Sequence, residues 1–304
     1  MAKKRKKVAL AYLITIFVTF VLIGGTTVFL YLKLGLSDNN SSSSNSEEDK
    51  LVFKATEEQN QTVLFVLDTG DNMTDTVFVV SRFLPTQDKI VLIPVQSDTF
   101  SQINTQKNTV YNFYKTGGVM QASTAIENAF NIKIQKYMKF NKDAFQSFVD
   151  IFGGVNYNIP YDLIYDNETT GESTIIRSGN QFLDSIKLRQ LFTFPQYKEG
   201  EQYRAKTVGT ALTDIINRNL GERLYNTIDS SFNTLINKTD TNITAYDYQF
   251  RKDAILNMIT PGKTPVQFQI CSGKYNEHNQ FEIDDTSKEN IKFLFNYKTE
   301  SEDK

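Results

Sequence analysis

The sequence predicts an α/β fold, a layered α-β-α domain with a central mixed sheet, placed after one N-terminal transmembrane helix. Three observations predict it. Thr62–Leu67, Asp75–Ser81 and Lys89–Pro94 are short runs dominated by apolar residues, the pattern of strands buried on both faces. Helix-spaced and strand-like segments alternate through the rest of the chain, which suits packed layers. Finally, Val8–Leu32 carries no charge and follows five cations, Lys3, Lys4, Arg5, Lys6 and Lys7.

The organisation follows from that leader. About 20 apolar residues suffice to cross a bilayer, and a basic cluster stays on the cytoplasmic side. Residues 1–7 are therefore expected to be a cytoplasmic tail, 8–34 an anchor, 35–60 a flexible linker and 61–304 an extracytoplasmic domain. A cleaved signal peptide has a shorter apolar core than this one. Ser37–Lys50 holds no apolar residue, so it lacks the burial that offsets the entropy of ordering.

Within the domain, Asp68–Thr74 is a polar loop between the first two strands, and Pro85–Asp88 a turn between the second and third. Gly117–Asn131 reads as a helix after a Gly-Gly turn, Tyr137–Asn141 as a strand, and Lys142–Phe152 as a helix stopped by Gly153-Gly154. Val155–Pro160 alternates like a strand. Gln181–Phe194 and Arg204–Asn219 read as helices around a loop at 195–202. Ala245–Ile259 is a helix ended by Pro261-Gly262, Val266–Ile270 a strand, and Lys288–Phe295 a last helix. There is no internal repeat, and no second domain is expected.

Composition removes several functions. Taking the five leader cations from a formal charge of −2 leaves −7 for the rest of the chain, and a nucleic-acid partner calls for a basic face. One cysteine, Cys271, permits no internal disulfide and reads as a small buried apolar residue. One histidine, His278, excludes a His-rich zinc site. No phosphate-cradling glycine loop is present.

Several segments, in order, carry a resemblance. MTDTVFVV (Met73–Val80) looks like R-[ST]-D-T followed by an apolar run, and KIVLIPVQSDTF (Lys89–Phe100) like a strand ending in I-P-R-D-T. VYNFYKTGG (Val110–Gly118) is similar to K-[IL]-N-x-A-Y-x-x-G-G. The most specific stretch is FVDIFGGVNYNIPYD (Phe148–Asp162), and GEQYRAKTVGTAL (Gly200–Leu212) looks like G-D-F-G-R-x-x-R-Q-Q. TNIT (Thr241–Thr244) and SGKYNEHNQFEID (Ser272–Asp284) resemble the closing part. Together they resemble the LytR-CpsA-Psr family of Gram-positive cell-envelope proteins over nearly all of residues 61–297.

The resemblance implies a chemistry: a glycopolymer moves from an undecaprenyl pyrophosphate carrier onto peptidoglycan. The lipid would lie in an apolar pocket under the sheet, with the pyrophosphate at its mouth. Such phosphoryl transfer depends on positioning and on neutralising phosphate charge. By motif position, Asp75 and Asp98 are the expected Mg2+ ligands. Asp98 and Arg204 are the expected catalytic residues, and Arg204 with Lys206 the pyrophosphate-binding ones. The expected partners are a polyprenyl-pyrophosphate-linked glycopolymer, peptidoglycan and the membrane, with the C-terminal domain extracellular and the N-terminus cytoplasmic.

The chain departs from the pattern in its cations. Met73, the segment Val95–Ser97, Thr193, Pro195 and Thr207 stand where the family has arginines, and Arg204 alone keeps its place. Arg82, Arg177 and Arg189 are candidates to compensate in space. Two functions therefore stay open: a transferase, and a non-catalytic member that binds polyprenyl lipid, glycopolymer or a protein partner.

Overall fold

The three predicted strands, β1 (Gln61–Asp68), β2 (Thr76–Leu84) and β3 (Lys89–Val95), form an antiparallel meander joined by a polar loop and by a 3-10 turn at Pro85–Gln87. The computed structural model describes residues 53–295 apart from 71, 168–170 and 172. The expected cytoplasmic tail, anchor and most of the linker fall outside the described residues. Among those described, no helix is long and apolar enough to cross a membrane.

A hairpin, β4 (Phe100–Ile103) and β5 (Gln106–Thr109), leads into helix α1 (Val110–Phe130). Gly117 and Gly118 break α1, Gly118 with φ near 64°. The expected helix after the Gly-Gly turn is its second half; the first half was hidden by the hairpin before it. Then follow β6 (Lys136–Phe140), α2 (Lys142–Phe152), β7 (Val155–Ile159), the hairpin β8 (Leu163–Asp166) and β9 (Ser173–Ile176), and β10 (Gly179–Leu183). Asn141 caps α2 by accepting from Ala144 N, and Gly153 ends it in the left-handed region at φ 95°, as the Gly-Gly pair requires.

Helices α3 (Ser185–Phe192), α4 (Gly200–Arg218) and α5 (Glu222–Lys238) lead to the two-residue strand β11 (Asp240–Thr241) and α6 (Ala245–Met258). The chain closes with β12 (Val266–Phe268), the hairpin β13 (Gly273–Tyr275) and β14 (Phe281–Ile283), and α7 (Asp285–Leu294). Gln181–Leu183 is strand rather than helix, because it pairs with β7 (Leu183 opposite Val155). The helix expected there begins only after its cap, Asp184, which accepts from Lys187 N.

The central sheet runs β11-β6-β1-β2-β3-β12. β1 and β6 are parallel, as are β3 and β12, while β2 is antiparallel to both its neighbours. β1, β3, β6 and β12 thus point the same way, and the sheet is mixed. The alternation of β1 explains its unbroken apolarity. Leu64 and Val66 pack with α1 residues Phe113, Ala122 and Ile126, while Phe65 and Leu67 pack with Phe145 and Val149 of α2 and Val208 of α4. Each face carries its own apolar cluster, which gives the three layers. The two edge strands are only two and three residues long, which limits pairing with other chains.

The ordered fold starts before the expected boundary at 61. Gln59 Nε2 donates to the Phe250 carbonyl, and Arg251 Nε donates to the Gln59 carbonyl.

Gly209 sets how closely α4 approaches the sheet. A Cβ there would lie 2.5 Å from the Phe268 ring and 3.0 Å from Pro94 Cγ. Gly209→Val is therefore expected to destabilise the protein by about 1–3 kcal/mol through overpacking, read as a lower urea midpoint with unchanged slope. An unchanged midpoint would show that α4 stands off the sheet.

Candidate functional site at the C-terminal edge of the sheet

In open α/β sheets, ligands bind beyond the carboxyl ends of the parallel strands. The expected residues gather at that end. Asp98 lies three residues past β3, where Thr99 N donates to the Gln96 carbonyl (3.0 Å) and Phe281 N to the Asp98 carbonyl (3.1 Å). Asp75 ends the short 3-10 turn that leads into β2. Ser97 Oγ donates to the Thr76 carbonyl at 3.1 Å, so the two segments stay together beyond the last ladder pair, Phe78 with Val95. Asp75, just before β2, and Asp98, just past β3, thus lie at the same end of the β2–β3 pair.

Arg204 fastens both segments to α4. Its Nη1 donates to the Thr74 carbonyl (2.9 Å) and its Nη2 to Ser97 Oγ (3.1 Å), while Nε (3.1 Å) and Nη2 bind the Glu201 carboxylate. The side chain is buried, with 4% of the residue exposed. Lys206 does not join it. Two positions along an α-helix turn through about 200°, and Lys206 is exposed while Arg204 faces inward.

The two aspartates differ in what they offer. Asp75 Oδ2 accepts from both the main-chain N and Nδ2 of Asn72 at 3.1 Å, closing its own loop. Asp98 is buried, and its Oδ1 has no hydrogen-bond partner. Burial, and after it the Glu201 carboxylate, push the Asp98 carboxyl up to about 6, against a hydrogen bond from Tyr275 and the charge of Arg204. The single Tyr275 hydroxyl proton is aimed at Gln96 Oε1 at 3.2 Å, with the Asp98 carboxylate beside it. An orphaned buried carboxylate oxygen is costly, and at a strand-end crevice it marks a place for a proton, a cation or a ligand donor.

Mg2+ takes one or two protein carboxylates and completes its shell with water and phosphate oxygens. Asp98 Oδ1 fits that role, with Asp75 on the facing segment. Among the described residues no group of three or more His, Cys, Asp or Glu side chains forms a closed cage, so ligand oxygens would have to complete the shell.

Where the apolar slot is expected, the hollows beside Arg204 are too small for a lipid tail. The hollow lined by Val77, Phe78, Pro94, Glu201, Arg204 and Val208 holds about 10 Å³, as does a neighbouring one among Tyr157, Tyr161, Tyr197, Tyr203 and Thr207. Each has room for roughly one water. The side chains that fill this layer include Phe145, Phe192 and Phe194. Arg82 does not compensate for lost cations here: it binds Thr62 Oγ1 and the Phe295 carbonyl at the other end of β1. Arg177 pairs with Asp162 at 2.7 Å on the surface.

Sequence reasoning missed Glu201 and Tyr275 as parts of the site. Glu201 had a signal, since it precedes Arg204 by three residues on a helix, the spacing of a facing pair. Tyr275 had none, because only the tertiary fold brings it to Asp98.

Comparison with known proteins bears on the family and the fold. The family model described as the LytR_cpsA_psr family matches residues 28–292. A polyisoprenyl-teichoic acid–peptidoglycan teichoic acid transferase, TagU of Bacillus subtilis, is 23% identical over 250 residues, covering 80% of each chain. The crystal structure of a putative transcription regulator from Eubacterium siraeum matches with a TM-score of 0.71 at 23% identity, over 85% of this chain and 99% of that one. A structure of TagT bound to LI-WTA matches with a TM-score of 0.59 at 15% identity, over 84% of this chain and 98% of that one. These structural likenesses establish a shared fold.

Two predictions follow from the geometry. The folded Asp98 carboxyl titrates near 6 and the unfolded one near 3.8. The folded state therefore binds the extra proton between those values, and stability falls as pH rises through that window. Relative to wild type, Asp98→Asn is expected to gain about 1–3 kcal/mol between pH 4 and pH 7, measured by urea unfolding with a chelator present. A pH-independent difference would contradict the assignment. Arg204→Met strands Glu201 beside Asp98 and is expected to cost about 3–5 kcal/mol. Lys206→Met should stay within about 0.5 kcal/mol; equal effects in thermal unfolding would refute the inward placement of Arg204.

Proposed function

The chain belongs to the LytR_cpsA_psr family, and from that premise we propose that it attaches a glycopolymer, delivered on a polyprenyl-pyrophosphate carrier, to peptidoglycan at the outer face of the membrane. The observation that carries this reading is the free, buried oxygen of Asp98 beside Arg204 and Glu201, at the sheet edge where the family motifs converge. The teichoic acid transferase named among the relatives supports the substrate class. The charge-free run Val8–Leu32 behind its basic cluster supports an anchored protein with this domain outside.

In the proposed reaction an acceptor hydroxyl of peptidoglycan attacks the glycan-side phosphorus of the carrier. The new P–O bond forms as the P–O–P bridge breaks, and polyprenyl phosphate leaves with the bridging electron pair. Asp98 takes the hydroxyl proton. Without a bound cation, a carboxyl near 6 is mostly ionised at neutral pH yet basic enough to accept a proton in the transition state. Tyr275 orients that carboxylate, and Arg204 holds Ser97 and Thr74 so that Asp98 and Asp75 keep their places. Mg2+, when bound at Asp98 and Asp75, would supply neutralisation of phosphate charge.

A second reading has its own support. Arg204 is committed to protein partners and the hollows beside it are too small for a lipid tail, which favours binding of glycopolymer without turnover. The full-length protein, incubated with a polyprenyl-pyrophosphate saccharide, peptidoglycan and Mg2+, separates the two. The transferase reading predicts release of polyprenyl phosphate and a loss of about 10²-fold or more in Asp98→Asn. Saturable binding with no release in the wild-type protein would leave the binding reading in its place.

A further inference from the structure

The strand-end crevice is divided by charge. On the α4 side, Asp98 and Glu201 face one guanidinium, four of whose five N–H donors bind Glu201, Ser97 and Thr74. On the α1 side the balance reverses. Lys139, near the end of β6, binds Asp68 Oδ2 at 2.9 Å across the parallel β1–β6 pair. The Tyr114 hydroxyl donates to the same oxygen, and Lys139 Nζ lies 5.4 Å from the centre of the Tyr114 ring. Lys115, the next residue along α1, is exposed and close enough to lower the Asp68 carboxyl electrostatically. Two cations thus surround one carboxylate, in a domain that is acidic outside its leader.

Lys139 is held as a pointed donor rather than a free arm. Asp68 and Tyr114 fix its ammonium, whose three N–H donors exceed what one carboxylate oxygen and one phenol oxygen engage. Its side chain keeps 31% of its surface exposed. β6 and β3 are separated by β1 and β2, three strand spacings or about 14 Å. A lysine side chain that reaches across to Asp68 on β1 shortens the gap to Asp98 to about two spacings, roughly 10 Å. That span suits a ligand with a phosphate at one end and its reacting group near Asp98.

We propose that Lys139 and Lys115, set by Asp68 and Tyr114, form the phosphate-binding end of the crevice in this protein. The ligand class is a phosphodiester or diphosphate, gripped from the α1 side of the sheet rather than by α4. The proposal rests on the phosphate-carrying substrate of the function proposed above, and it changes which residues receive that substrate. Lys139 and Lys115 are binding residues here; Asp68 and Tyr114 position Lys139.

The test measures binding of inorganic pyrophosphate, without metal, to the full-length protein by calorimetry at low salt. Lys115→Met changes an exposed residue and is expected to weaken binding about 3- to 10-fold. Lys139→Met is expected to weaken it more than 10-fold, and Lys139→Arg to restore most of it. Asp68→Asn removes the carboxylate that holds Lys139 and is expected to weaken pyrophosphate binding about 3- to 10-fold while leaving the effect of Lys115→Met in place. Weaker binding in Asp68→Asn with no further loss on adding Lys139→Met supports positioning through Lys139, and additive losses contradict it. Unchanged affinity in all lysine variants, or no pyrophosphate binding by the wild-type protein, overturns the proposal. Polyprenyl phosphate release that persists in Lys139→Met and Lys115→Met would leave the transferase reading standing while the lysine assignment falls.

Discussion

One buried guanidinium holds the functional end of this molecule together. Arg204 reaches from α4 into two loops that follow different strands, and meets a carbonyl of one and a hydroxyl of the other. Its charge is balanced by Glu201 one helical turn away. A buried arginine is tolerable only when its donors are satisfied and its charge is paired, and here both conditions are met by groups that also define the site. The arrangement makes α4, the Asp75 turn and the Asp98 loop one mechanical unit. Gly209 permits it by letting the helix lie directly on Pro94 and Phe268.

That constraint has a chemical consequence. A guanidinium used to build a site is not available to grip a substrate, so the family's usual supply of positive charge must come from elsewhere or be absent. The remaining carboxylates feel this directly. Asp98 keeps a partnerless oxygen and a carboxyl titrating near 6 because burial and Glu201 outweigh Arg204 and Tyr275. The acidic groups Asp98 and Glu201 thus lie towards α4 while Lys139 and Lys115 lie towards α1, and the aromatic side chains packed beneath α4 would have to move to admit a lipid tail.

Much of this was legible in the sequence, for identifiable reasons. The three-strand meander and α2 followed from apolar runs and from a Gly-Gly stop whose first residue takes φ 95°. Strands β4 and β5 were not legible because QINTQKNT is polar: the hairpin packs against α1 through Ser101, whose hydroxyl donates to the Ala125 carbonyl, rather than through an apolar stripe. Helix α5 was missed because its buried residues are few, Leu224 and Ser231. At the site, motif position pointed to Asp75, Asp98 and Arg204, but their surroundings could not be read from it. Whether Arg204 points inward and whether Asp75 is already satisfied are tertiary facts. Lys139 was read only as part of a strand, and Tyr114 only within the stretch VYNFYKTGG; their meeting at Asp68 depends on the β1–β6 crossover.

The central claim is that Arg204 is a fixed internal clamp and not a substrate-binding cation. Nuclear magnetic resonance of the arginine side-chain Nε–H groups tests it directly. The account predicts that the Arg204 Nε–H exchanges slowly with solvent and that its resonance stays in place when pyrophosphate is added to saturation. Rapid exchange, or a large shift on adding pyrophosphate, would contradict it and return Arg204 to the role of a phosphate-gripping residue.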